Sequence, residues 1–350
     1  MMYNEEQKQK FINEQTKESS KELALRFFTM MQDVEEEHGK DVAVFDDNEM
    51  QTLFEGRFGM RKSSKKVAIS LVQRYIRWCK ENGLEARDNE VLTVDIDNTT
   101  GLREKMVASP IDLKRVLDDY FDETKYQTAD VVLRTFLWLA FIGVEDRDSI
   151  KIKCQDVDVV NLGLRYKGEI YELPRESRED FLAARNLEFF NRMVMDHTRV
   201  MPSRGNKTTD VHINNHTIQR EPGDLLLRMT VPITSDTLVK TLRPRVNFAF
   251  RKRNAELIES GKKFLCRYLS YNRVWLSGVY YRVFEQERAG CGTNFTEIAV
   301  DIVKKKRAEE ITERGKGSER IGLSEYSKQI SYTQLQLEED YRRWKQAFLV

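Results

Sequence analysis

The sequence predicts a mostly α-helical protein of two domains that carries one small antiparallel β-sheet. Three observations predict it. Apolar residues recur at helical spacing through most of the chain, one central stretch switches to period-two alternation, and 350 residues suffice for two apolar cores. A hydrophobic fraction of 40% beside 33% charged residues fits folded domains with a well-solvated helical surface rather than a disordered chain.

The elements follow in order. Residues 17–36 (KESSKELALRFFTMMQDVEE) and 64–82 space their apolar side chains as helices do, and Leu71, Tyr75, Trp78 and Cys79 form one face of the second. The first hundred residues therefore read as an all-helical domain, 1–100. The polar stretch NEVLTVDIDNTTGLREK, 89–105, with DNTTG as a turn at its centre, reads as a linker. A helix restarts at SPIDLKRVLDDYF, with Ser109 as N-cap and Pro110 at the first helical position, and opens a second domain, 106–350. TADVVLRTFLWLAFIGV gives a strongly apolar helix, too short to span a bilayer, and so the buried central helix of that domain. SIKIKCQDVDVVNLGLRYKGEIYELP alternates in pieces and predicts two or three antiparallel strands. Beyond it, apart from a polar loop around 202–224, the chain reads as helical to its end.

Composition narrows the function. No apolar run approaches the roughly 18 residues of a membrane span, and the opening MMYNEEQKQKF lacks the apolar core of a signal peptide, so a cytoplasmic protein is expected. Cys79, Cys154, Cys266 and Cys291 show no CxxC or Cys/His spacing; they read as buried thiols, with no metal and no cofactor implied. The formal net charge is only +1, but the charges are unevenly placed. Between Asp236 and Arg273 stand Lys240, Arg243, Arg245, Arg251, Lys252, Arg253, Lys262, Lys263, Arg267 and Arg273, against Asp236, Glu256 and Glu259 alone. A second cluster, RKSSKK at 61–66 (Arg61, Lys62, Lys65, Lys66), runs into a helix that adds Arg74 and Arg77. Two basic clusters in separate domains favour a polyanion as partner over an evenly solvated surface.

Five segments in order carry a resemblance to the tyrosine recombinases, the phage integrase family. GVEDRDSIKIKCQDVD, 143–158, resembles the first conserved box of that family. YKGEIYELP resembles its lysine-bearing strand hairpin, LSYNRVW (269–275) its His-x-x-Arg box, AGCGTNFTEIAVDIVKK the helix before the last box, and IGLSEYSKQISYTQ the last box itself. The likeness covers roughly residues 106–345, with the helical first hundred residues in the place of the family's core-binding domain. It implies a two-domain clamp on double-stranded DNA, with Lys167 and Arg273 in the places of a catalytic lysine and arginine and Tyr332 in that of the nucleophile. The first arginine's place, however, holds Glu145, the box histidine's holds Ser270, and the final histidine or tryptophan place holds Leu323. No register shift restores either histidine, because the four histidines are His38, His197, His212 and His216.

Phosphoryl transfer depends on positive charge at the non-bridging oxygens, so a carboxylate in the arginine's place is worse than an absence. At about 4 Å and an effective dielectric near 20, like charges repel by roughly 4 kcal/mol. A phenol with an ordinary pKa near 10 is also a poor nucleophile without groups to activate it. The resemblance thus implies a DNA-binding protein without strand cleavage, similar to the integrase-fold master repressors of SP-beta-like Bacillus prophages, with Tyr332, Arg273 and Lys167 vestigial. A divergent active recombinase and an accessory DNA-binding factor of a mobile element are the alternatives. Phosphate contacts are expected from Arg61, Lys62, Lys65, Lys66, Arg74, Arg77, Lys167, Lys240, Arg243, Arg245 and Arg273. The tail LEEDYRRWKQAFLV places Tyr341, Trp344, Phe348 and Leu349 at helical spacing, to dock on a neighbouring protomer as in the resembling family or on the protein's own core. A regulatory protein or peptide is a further partner that such a repressor would take.

Overall fold

The computed structural model describes residues 2–57, 62–121, 127–187, 189–191, 215–217, 222–228, 233–234, 238, 242–262, 266, 269–292, 294–314 and 323–349. In chain order its helices are α1 (Glu5–Asn13), α2 (Glu18–His38), α3 (Asp47–Arg57), α4 (Lys62–Glu81), α5 (Thr100–Arg103), α6 (Pro110–Tyr120) and α7 (Gln127–Phe141). They continue as α8 (Asp146–Ser149), α9 (Arg178–Arg185), α10 (Arg243–Glu259), α11 (Tyr271–Arg288), α12 (Phe295–Arg314) and α13 (Leu323–Leu349). The strands are β1 (Val157–Asp158), β2 (Gly163–Tyr166), β3 (Glu169–Glu172), β4 (Phe189–Asn191) and β5 (Asn215–Thr217). By internal contacts the chain divides into two compact units, Met1–Leu102 with Asn294–Val350, and Arg103–Thr293.

The first unit is helical among its described residues. The apolar face of α4 is its buried face: Leu71, Tyr75 and Cys79 are fully enclosed. Phe11 meets the Tyr75 ring edge-on at 5.1 Å and Phe28 meets it at 4.8 Å, so three helices share one aromatic centre. A charged knot lies in this core. Lys8, fully buried, places its ammonium 2.5 Å from Glu35 and 3.4 Å from Asp41. Glu35 also accepts from the Val42 amide at 2.8 Å, and the Tyr75 hydroxyl donates to Asp41 at 3.2 Å. Burial pushes the Glu35 carboxyl up to about 7, against the pull of Lys8, and the nearby Asp41 adds to the rise. The expectation of one domain from 106 to 350 differs from the observed division in one respect: α12 and α13 are grouped with the first hundred residues. Leu337, Tyr341, Trp344 and Ala347 of α13 are buried, and Tyr341 packs on Phe295 of α12 at 5.4 Å. Periodicity marks such a face but does not say which core it covers.

The second unit is built around α7. Phe136, Leu137, Trp138, Leu139 and Ala140 have no exposed surface, which makes this a helix buried all round. Its one arginine, Arg134, is compensated: it pairs with Asp180 and Asp118, each at 2.6 Å, and Trp138 donates to Asp180 at 2.6 Å. Ahead of it, the Ser109 hydroxyl accepts the Asp112 amide of α6 at 3.2 Å, with Pro110 in the first turn. The alternating stretch forms an antiparallel sheet of order β1-β2-β3. Its register pairs Tyr166 with Glu169, which leaves Lys167 and Gly168 as a two-residue turn. Both have positive φ, 50° and 82°, as the twist of a tight hairpin requires. Two features correct the expectations from sequence. β4 and β5 pair antiparallel where helix or loop was expected, because three-residue strands are too short for alternation to register. Cys291 is exposed rather than buried, since it follows Gly290 in the turn after α11, whereas Cys79, Cys154 and Cys266 are buried. Among the described residues no helix is long and apolar enough to cross a membrane.

Candidate nucleic-acid interface

The centre of the candidate site in the second unit is set by the end of α7. A helix leaves its last carbonyls without partners, and α11 supplies donors from one stripe to the last residue of α7 and to the turn that follows it. The Arg282 guanidinium donates to the Phe141 carbonyl at 2.6 Å, the Trp275 indole to Gly143 at 3.2 Å, and the Tyr271 hydroxyl to Val144 at 2.8 Å. Positions 271, 275, 278 and 282 follow one helical face, and Gly278 stands where any side chain would strike the Phe141 backbone. Tyr271 is buried against Phe136, which drives its phenol well above the ordinary range. The turn is thereby fixed, and Glu145 follows it as the N-cap residue of α8. Its carbonyl accepts the Asp148 and Ser149 amides at 3.0 and 2.8 Å, while its carboxylate does not cap the helix.

That carboxylate faces Lys167 instead. The Lys167 ammonium lies 3.5 Å from Glu145 and 3.2 Å from Asp148. Asp148 also accepts from the Tyr166 hydroxyl at 2.6 Å and pairs with Lys151 at 2.8 Å. Partial burial works against its ionisation, but hydrogen bonds from Lys151, Tyr166 and Lys167 outweigh it and hold the carboxyl down at about 2. Lys167 is held above the ordinary lysine range by the Tyr166 hydroxyl, by Asp148 and by Glu145. The structure therefore joins two predicted positions, Glu145 and Lys167, and adds two that sequence reasoning missed, Asp148 and Tyr166. Asp148 lies one helical turn after Glu145, the only signal for it in the sequence.

Ser270 acts within its own helix, where its hydroxyl accepts the Arg273 amide at 3.4 Å as N-cap of α11. Arg273 is half-buried in the first turn of that helix, and Tyr271 between them ties this end of α11 to Val144. Arg147 is exposed. Arg243, which opens α10, forms a close ion pair with Asp146. Arg245 is half-buried, and desolvation pulls its pKa down. Arg253 pairs with Asp119 at 3.0 Å. Lys240 lies outside the described residues.

In the first unit the α4 stripe is only partly as expected. Lys66, Arg74 and Arg77 are exposed on its outer side; Arg74 reaches Gln15 at 3.3 Å and Arg77 pairs with Glu90 at 3.0 Å. Lys65 is a correction. It is 3% exposed and donates to the Asn98 carbonyl at 3.3 Å. It precedes Val72 and Ile76 by seven and eleven residues, so the helical wheel already set it on the buried side. Lys62 opens α4, and Arg61 lies outside the described residues. Leu323 opens α13, and Tyr332 on the same helix is 60% exposed.

Residues 2–81, which span α1 through α4, match the model of an integrase-like core-binding domain. That model is the N-terminal core-binding domain of MrpR, and the match supports a tyrosine-recombinase-like family for this part of the chain. No curated protein matches the chain.

Proposed function

We propose that the protein binds double-stranded DNA sequence-specifically on an integrase-type fold without strand-cleaving activity, and that it acts as a phage or prophage repressor controlling lysogeny. The observation that carries this reading is the pairing of Glu145 with Lys167. In the family that the sequence resembles, an arginine and a lysine at these places address one phosphate. Here a carboxylate occupies the arginine's place and neutralises the lysine, so the site opposes a developing phosphorane while the rest of the protein keeps its affinity for the duplex. The match of residues 2–81 to a core-binding domain supports the DNA-binding half of the reading.

Binding to a random-sequence duplex, titrated with salt, tests the interface. Removing one phosphate contact lowers the slope of log K against log salt by about 0.9, so Lys66→Gln, Arg74→Gln and Arg77→Gln together should flatten it by about 2 to 3. Lys65→Gln should leave the slope unchanged, because its ammonium is committed to the Asn98 carbonyl. A triple variant with wild-type affinity and slope would remove α4 from the interface. Chromatin capture followed by sequencing then tests selectivity: discrete peaks are expected, and uniform coverage contradicts a repressor.

A further inference from the structure

The last helix carries a second feature, separate from Tyr332. Arg343 on α13 is 6% exposed, and its guanidinium donates to the carbonyls of Ile96 and Asn98 at 3.4 and 3.3 Å. Lys65 on α4 donates to the same Asn98 carbonyl. These carbonyls belong to the segment 95–102, by which the chain leaves its first stretch in this unit. The rest of that segment is fastened to α3. The Asp95 amide donates to Gln51 at 2.8 Å, the Asn98 side-chain amide donates to Glu55 at 2.6 Å, and Gly101 approaches the Glu55 carbonyl too closely for any side chain.

We infer that α13 is a latch on this segment: Arg343, arriving from the far end of the chain, holds 95–102 in place, and undocking of the last helix releases it. Two features make the latch weak enough to open. Lys65 and Arg343 are buried cations directed at one carbonyl oxygen, and they repel; burial and the neighbouring Arg343 both pull the Lys65 pKa down. The Nε and Nη1 groups of Arg343 are buried without a hydrogen-bond partner among the described residues, a cost that docking of the helix has to carry. The apolar side of α13, with Trp344 fully buried and Tyr341 packed on Phe295 of α12 at 5.4 Å, holds the helix down against these costs. One element thus joins the end of the chain to the point where the chain departs for the second unit, and the two are released together.

The inference does not rest on the DNA reading, and its test is run without DNA. Hydrogen–deuterium exchange of the full chain is followed by mass spectrometry for wild type, Arg343→Met, Arg343→Lys, Lys65→Met and Arg342→Met. Arg343→Met removes two charge-assisted hydrogen bonds, so amides of 95–102 should exchange at least about tenfold faster while α2 keeps its wild-type rates. Arg343→Lys keeps the charge but ends one atom short of the Nη2 that makes both bonds, and should also speed exchange there. Lys65→Met should stay within about threefold of wild type, because Arg343 loses a repelling neighbour and keeps both carbonyls. Arg342→Met, an exposed neighbour, should change nothing. The latch is overturned if 95–102 keeps its protection in both Arg343 variants, if Lys65→Met opens it as far as Arg343→Met, or if the opening spreads equally to α2.

Discussion

At the scale of residues, a lysine held by two carboxylates has to give up one of them before it can take a phosphate. On the proposed reading Glu145 would therefore weaken DNA binding twice, by its own charge and by occupying Lys167. The Coulomb figure of roughly 4 kcal/mol at 4 Å is an upper bound here, because solvent reaches the pair: Glu145 is 34% and Lys167 56% exposed. Glu145→Gln should tighten duplex binding by about 1 kcal/mol, roughly fivefold, with a steeper salt dependence. Filter binding at two salt concentrations measures it, and equal or weaker binding would show that this site does not face DNA. The order of segments along the chain pointed to Glu145 and Lys167, which the structure brings together. What surrounds them was not legible: Asp148 and Tyr166 meet only because the hairpin folds beside α8, and Arg243 finds Asp146 across nearly a hundred residues. Lys65 shows the opposite failure, for its place on the helical wheel was readable while the count of basic residues obscured it.

At the scale of elements, the contact between α7 and α11 places the site, and its tolerance is narrow. A Cβ on Gly278 would overlap the Phe141 carbonyl oxygen and lie 2.7 Å from its carbon, backbone atoms that cannot turn aside. Inside a helix, Gly→Ala alone would stabilise by about 1 kcal/mol. Here Gly278→Ala should instead destabilise the second unit by about 3 kcal/mol or more, as the two helices separate and Tyr271, Trp275 and Arg282 lose their carbonyls. Urea unfolding followed by tryptophan fluorescence reads the sign directly, and a stabilised variant would mean that the helices do not touch at this glycine. Helices α2, α4, α6 and α7 were legible because periodicity, the Ser109–Pro110 start and the apolar run each have one structural meaning. The pairing of α11 with α7 was not, since a glycine at one turn of a helix says that something approaches closely but not what.

At the scale of the whole molecule, 58 basic and 57 acidic residues nearly cancel, so any attraction to a polyanion depends on where the charges stand. The division into units was only half legible. Composition marked the polar stretch near residue 100, but patterns local to the chain cannot reveal that α12 and α13 pack with the first hundred residues, because that grouping spans about two hundred positions of sequence. Tyr332 is exposed on α13. For attack on a phosphodiester, the phenol needs a proton acceptor, the leaving oxygen a donor, and the phosphate two cations. On the proposed reading, Ser270 offers only a hydroxyl where a histidine would move protons, Leu323 has no proton to move, and a carboxylate at Glu145 would oppose the charge that develops. A nicked suicide duplex carrying the selected binding sequence should therefore trap no covalent protein–DNA adduct. Tyr332→Phe should bind that duplex within about 0.5–1.5 kcal/mol of wild type, the worth of one hydrogen bond. An adduct that forms with wild type and vanishes with Tyr332→Phe would restore a recombinase. An adduct that persists in Tyr332→Phe would place a nucleophile elsewhere, and either result would end the reading of this protein as a regulator that holds DNA without cutting it.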